Sequence, residues 1–226
     1  LSYRISGIEN KIGTLYSTRM QTHPLTRRSS HVSQPTLSVV GEMTLVLGRL
    51  HEFCGNARHM LALMTAAATQ GPVFWIAPEW SADKLNPDGM AALVGPERFT
   101  FISPRQPRDL LWTLEEVLRS GAVPLAVAEL PDLPSLTAVR RLHLAAERGG
   151  QTGRGVPIGL ILTPGEGGAP GIESRWHLSP RHGPQNRAWA LSRLRARTQP
   201  QKDWILTRSK NRFVLNKRAH EDVNAL

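Results

Sequence analysis

At 226 residues, 40% of them hydrophobic, the chain is long enough to bury one sizeable core and short for a two-domain protein. Its single cysteine, Cys54, excludes an intramolecular disulfide, and no Cys/His cluster has the paired spacing of a structural zinc site. No apolar run is long enough to cross a bilayer as a helix and residues 1–40 lack the apolar centre of a secretory signal, so a reducing, cytoplasmic setting is expected.

The formal net charge of +10 is unevenly placed. Residues 1–40 carry five Lys/Arg against one acid, residues 41–180 twelve against fourteen, and residues 181–226 eleven against three. The middle is near neutral and the ends are basic, a placement that suits arms contacting a polyanion as well as it suits solubilising tails.

Residues 1–42 are rich in Ser, Thr, Arg, Pro and Gln without sustained apolar periodicity, and are expected to be disordered or loosely packed. This extension is read either as a genuine basic arm or as an over-extended reading frame whose start is Met20 or Met43. The stretch "LVLGRLHEFC" then predicts a strand pair or one bent strand. After Gly55 comes a helix with Met60, Leu61, Leu63, Met64 and Ala67 on its apolar face, ending by Gly71. "PVFWIAP" (72–78) and "RFTFISP" (98–104) read as strands, with a short helix around 87–93 between them.

"PRDLLWTLEEVLRSG" is the clearest helix. Leu110, Leu111, Leu114, Val117 and Leu118 share a face, Pro107 suits the first turn and Gly121 falls just past the end. "AVPLAVAEL" (122–130) has the continuous apolar character of a strand buried on both faces and is closed by Glu129. A helix with Ser135 as N-cap and Val139, Leu142 and Ala146 facing inward follows, then a buried strand in "VPIGLILTP" (156–164). "GEGGAPG" reads as a mobile loop. From Glu173 the period changes to two in "ESRWHLS", "AWALSRLRAR" and "DWILTR", and residues 209–226 form a basic tail. Alternating β and α elements followed by strands predict an α/β fold: a doubly wound, mostly parallel sheet with an antiparallel β extension at the C-terminal side, its main domain spanning 43–208.

Ligands of open parallel sheets sit at the carboxyl ends of the strands, which directs attention to three places. The turn Gly55, Asn56, Ala57, Arg58, His59 joins a strand to a helix, where free N–H groups and the helix dipole favour an anion. Glu79 and Glu129 end two further strands, and carboxylates so placed can activate water or hold a magnesium shell; as surface carboxylates they would do neither. Cys54 reads as a small core residue, and Trp176 and Trp204 as filler between the C-terminal strands and the sheet. On a regular strand Trp189, Arg193, Arg195 and Arg197 would share one face, giving a guanidinium stripe with a stacking platform for a nucleic acid. Arg140 and Arg141 read as the wet face of their helix.

From "LGRLHEFCG" through "FWIAPEW", "LRSGAVPLAVAEL" and "IGLILTP" to "ESRWHLS", the order and spacing resemble the RecA-like group of P-loop proteins over residues 45–208. Within that group the short loop and the Arg/Trp-rich end are most similar to ImuA-like accessory factors of bacterial SOS mutagenesis. The resemblance implies a non-catalytic scaffold in error-prone translesion synthesis that bridges DNA polymerase-type partners on damaged DNA. DNA itself and a second copy of the chain are further candidate partners.

"GNARHMLAL" departs from the group's phosphate loop. It has no second glycine before the helix, Arg58 and His59 stand where Lys and Ser/Thr would be, and it is about three residues short. The expectation is a degenerate site without ATP, magnesium or any other cofactor. Two alternatives stay open: an atypical ATPase using Arg58, the Gly55 turn, Glu79 and Glu129, or a DNA-binding module using the arginine stripe.

Overall fold

A computed structural model describes residues 34–82, 84–152, 155–183, 186–209 and 212–217. The expectations for the N-terminal arm, for a start at Met20 and for the end of the basic tail lie outside these residues.

Two strands, β1 (Thr36–Val40) and β2 (Met43–Val46), form an antiparallel hairpin turned at Gly41, whose φ of 50° suits glycine. Next come β3 (Leu50–Cys54), α1 (Arg58–Ala68), β4 (Val73–Ile76), α2 (Pro87–Ala91), a 3-10 turn (Pro96–Arg98) and β5 (Phe99–Ile102). The helix α3 (Pro107–Ser120), β6 (Leu125–Glu129), α4 (Leu136–Gly150) and β7 (Ile158–Leu162) follow. The chain closes with β8 (Ser174–Pro180), β9 (Ala188–Ala196), β10 (Lys202–Ser209) and β11 (Arg212–Lys217).

The nine strands β3 to β11 make one sheet in the order β11-β10-β9-β8-β3-β7-β6-β4-β5. From β8 to β5 every pairing is parallel, and from β8 outward to β11 every pairing is antiparallel. The expected α/β architecture with an antiparallel extension is therefore present. All five residues of β3 and all five of β7 are buried, as strands covered on both faces must be.

Helices lie on both faces. On one, α1 and the β1–β2 hairpin cover Phe53, Trp75, Leu160 and the stacked Trp176 and Trp204, whose ring centroids are 5.7 Å apart. On the other, α3 and α4 cover Leu50, Ile76, Ala126 and Ile161. The predicted boundaries of α3 hold: Pro107 opens it, and Gly121 at φ 59° ends it with its N–H on Leu118 O. Ser135 caps α4 by accepting the Ala138 N–H at 3.2 Å.

Three expectations change. The segment 1–42, expected to be loose, contains the strand Thr36–Val40. Its partner β2 starts at Met43 and takes only Leu45 and Val46 of "LVLGRLHEFC", which is neither a strand pair nor one bent strand. β2 joins β1, and β3 joins the large sheet. The basic tail expected over residues 209–226 contains β11, whose Phe213 and Leu215 lie at alternate positions and pack on the core.

Candidate functional site

The strand-to-helix turn after β3 is built around Gly55. Its φ is 85°, and a Cβ there would lie 2.5 Å from Leu178 O and 2.7 Å from His177 Nε2, so the end of β8 presses directly on it. Gly55 donates its N–H to Gly165 O at 2.9 Å, and Ala57 donates to Leu178 O at 3.0 Å. The Arg58 N–H and its guanidinium Nη1 both donate to Gly55 O, at 3.2 and 3.3 Å. Asn56 is exposed. The N–H groups of Gly55, Ala57 and Arg58 are thus committed to carbonyls of the chain itself.

Glu129, at the end of β6, reaches this turn. Its Oε1 accepts from Trp75 Nε1 at 2.7 Å and its Oε2 lies 3.2 Å from His59 Nε2. The His59 ring stacks on Trp75 with centroids 6.2 Å apart. No acid of α1 itself lies in its first turn, so Glu129 supplies the negative charge that the positive end of the helix dipole favours. Glu79 is not part of this group. It is exposed and lies 3.2 Å from Arg105 Nε, a solvated ion pair. The two strand-end carboxylates therefore have separate surroundings.

ATP with magnesium does not fit these residues. The turn has no lysine and no hydroxyl, and its N–H groups at Gly55 and Ala57 are taken. Among the described residues, no group of three or more His, Cys, Asp or Glu is placed to hold a metal ion.

Sequence reasoning missed the most elaborate polar cluster, centred on Glu52 of β3. This carboxylate is 0% exposed and accepts from Thr163 Oγ1 at 2.8 Å, Gly168 N at 2.9 Å, Ala169 N at 3.1 Å and Arg175 Nε at 2.5 Å. Arg175 also donates to Ala169 O at 3.0 Å. The "GEGGAPG" loop, expected to be mobile, is thereby tied to the central strand. Its glycines let the backbone cross the carboxylate, since a Cβ on Gly167 would lie 2.7 Å from Glu52 Oε1. The available signal was a lone acid inside an apolar strand, which demands buried partners.

The arginine stripe does not form. Arg193 pairs with Trp176 across β8–β9 and Arg195 with Arg175, so Leu194 is an extra residue and the strand bulges. Cross-strand partners share a face, so the bulge sends Arg193 and Arg195 to opposite faces of the sheet. Arg193 is only 5% exposed: its guanidinium lies 5.5 and 5.3 Å from the Trp176 and Trp204 ring centroids and donates to Pro200 O at 2.8 Å and to Gln199 Oε1. Burial lowers its pKa from the ordinary arginine value. Trp189 is buried too, against Phe213 and His182. Arg195 and Arg197 are exposed, and Arg197 is 3.3 Å from Glu173 Oε2.

Cys54 is buried, donates weakly to Trp176 O at 3.6 Å, and has its thiol pushed up to about 12 by burial, which fits an inert core residue. Arg140 and Arg141 lie on the wet face of α4, with Arg141 2.6 Å from Glu115 of α3. No protein-family model matches the chain, and no curated protein is significantly similar to it.

Proposed function

We propose that this chain is a RecA-like accessory protein with a degenerate nucleotide site, acting as a non-catalytic scaffold in SOS-type DNA damage tolerance. The observation that carries the non-catalytic part is the turn after β3, where the chain's own Gly165 and Leu178 carbonyls take the Gly55 and Ala57 N–H groups. The parallel order β8-β3-β7-β6-β4-β5, with the glycine turn following the central β3, is compatible with a RecA-like core. The ImuA-like assignment, and with it translesion synthesis, polymerase-type partners and a cytoplasmic setting, rests on the motif order of residues 45–208. No described helix is long and apolar enough to cross a membrane. The rival DNA-binding module loses its main support with Arg193 and Trp189 buried.

The test is damage-induced mutagenesis in the source cell. Deleting the gene should lower induced mutation, and a copy carrying Arg58→Ala should restore it in full because no nucleotide chemistry is required. Unchanged mutation after deletion would refute the role in damage tolerance; failure of Arg58→Ala to restore it, with the protein stable, would refute the scaffold mechanism.

A further inference from the structure

One concave surface lies away from the degenerate turn. It is an open groove of about 300 Å³ between the β1 strand, the C-terminal half of α1, the end of α2 and the start of β11. Val39, Met64, Ala68, Leu93 and Phe213 give it an apolar floor. At one end stand Arg208 and Arg212, and no lining residue is acidic. Arg208 is fixed there, with Nη2 donating to Ala92 O at 3.1 Å and its guanidinium 5.4 Å from the Phe213 ring centroid. Arg212 is exposed and joins no ion pair among the described residues. The last carbonyls of α1 would repel a carboxylate, but Arg98 brings a positive charge to this end, donating to Ala66 O at 2.9 Å and, just past the helix, to Gly71 O at 2.8 Å.

Apolar floor and uncompensated cations call for a ligand with both characters. A nucleic-acid backbone would use the arginines and leave the floor wet. We infer that the groove docks a short peptide segment of a partner protein in which one or two large apolar side chains stand beside an Asp or Glu, the apolar groups filling the floor and the carboxylate meeting Arg208 and Arg212. The volume is at the low end for ligand pockets, enough for about two such side chains, and its openness to solvent suits a continuing peptide chain. This inference does not depend on the reading of the nucleotide turn.

The experiment is selection of a displayed random-peptide library on the immobilised full chain, followed by fluorescence polarisation with the labelled winners. Enriched peptides should share a bulky apolar residue next to Asp or Glu. Arg212→Glu should weaken them about tenfold or more and steepen no salt dependence, since a rim attraction is lost. Ala67→Trp, at an exposed position on the groove wall, should abolish binding, and both variants should keep the parent melting temperature. The inference is overturned if no peptide is enriched, if winners lack the acidic-apolar pairing, or if they bind both variants as they bind the parent. It is equally overturned if the groove proves to be a self-association surface, seen as a dimer that Ala67→Trp dissociates, or if decanoate binds there and the peptides do not.

Discussion

Replacing Glu52 by Gln keeps the size of the side chain and removes its charge. In the native fold the carboxylate accepts from Thr163, Gly168, Ala169 and Arg175 and exposes none of its surface. The amide offers one acceptor oxygen, so its NH₂ must point at donors, and the Arg175 side chain, only 16% exposed, keeps a charge with no counter-ion. Breaking a buried ion pair from one side costs about 3–5 kcal/mol, against a total stability of roughly 5–15 kcal/mol for a domain. Urea unfolding of Glu52→Gln should show a loss in that range, and amide exchange in the 164–171 loop should accelerate beyond what global destabilisation explains. Replacing both partners by methionine should cost less than the two single changes combined, because no orphaned charge remains. A loss below about 1 kcal/mol for Glu52→Gln, with loop exchange unchanged, would refute the claim that this carboxylate ties the loop to the sheet.

Arg193→Ala should lower stability by roughly 2–4 kcal/mol through loss of the two tryptophan contacts and the charged hydrogen bonds, whereas Arg195→Ala should stay within about 0.5 kcal/mol; thermal melts of both check this. Gly149→Ala would place a Cβ 2.0 Å from Leu118 O, so α3 and α4 must separate at their ends. A loss of about 2 kcal/mol or more is expected by chemical denaturation, and parent-like stability would contradict the close approach. His51 and His143 are both held well below the ordinary value of 6.5, at about 4, chiefly by burial. The folded state therefore keeps them neutral while the unfolded chain binds protons below its own pKa, so stability is fully present above about pH 6.5 and falls as pH drops toward 4. Between pH 7 and 5 the loss should be about 2 kcal/mol for each histidine. His143→Gln should flatten part of that slope, and a stability that is level across this range would contradict the assignment.

Continuous apolar runs made the parallel strands β6 and β7 legible, since a strand covered on both faces favours apolar residues at every position, as these two nearly show. Proline, glycine and serine fixed the ends of α3 and the start of α4 because their backbone preferences are local. What failed was non-local. β1 is a short strand at the end of a polar stretch and is fixed by its pairing with β2, and β11 lies in a basic segment although Phe213 and Leu215 reach the core. One bulge at Leu194 redirects the arginines, and nothing in the period-two pattern marks it. At the candidate site the missing lysine was visible directly. That Gly165 and Leu178 would supply carbonyls to the turn was not, because both come from segments more than a hundred residues away in the chain. Glu52 was visible as an acid in an apolar strand, but its partners lie on a loop and on β8.

The central claim is that the turn after β3 has lost its nucleotide. Calorimetric titration of the full chain with ATP and magnesium tests it most directly, paired with the melting temperature, because any ligand bound only by the folded state must stabilise it. The account predicts no binding heat up to millimolar ATP and an unchanged melting temperature. Saturable micromolar binding that raises the melting temperature and disappears in Arg58→Ala would contradict it.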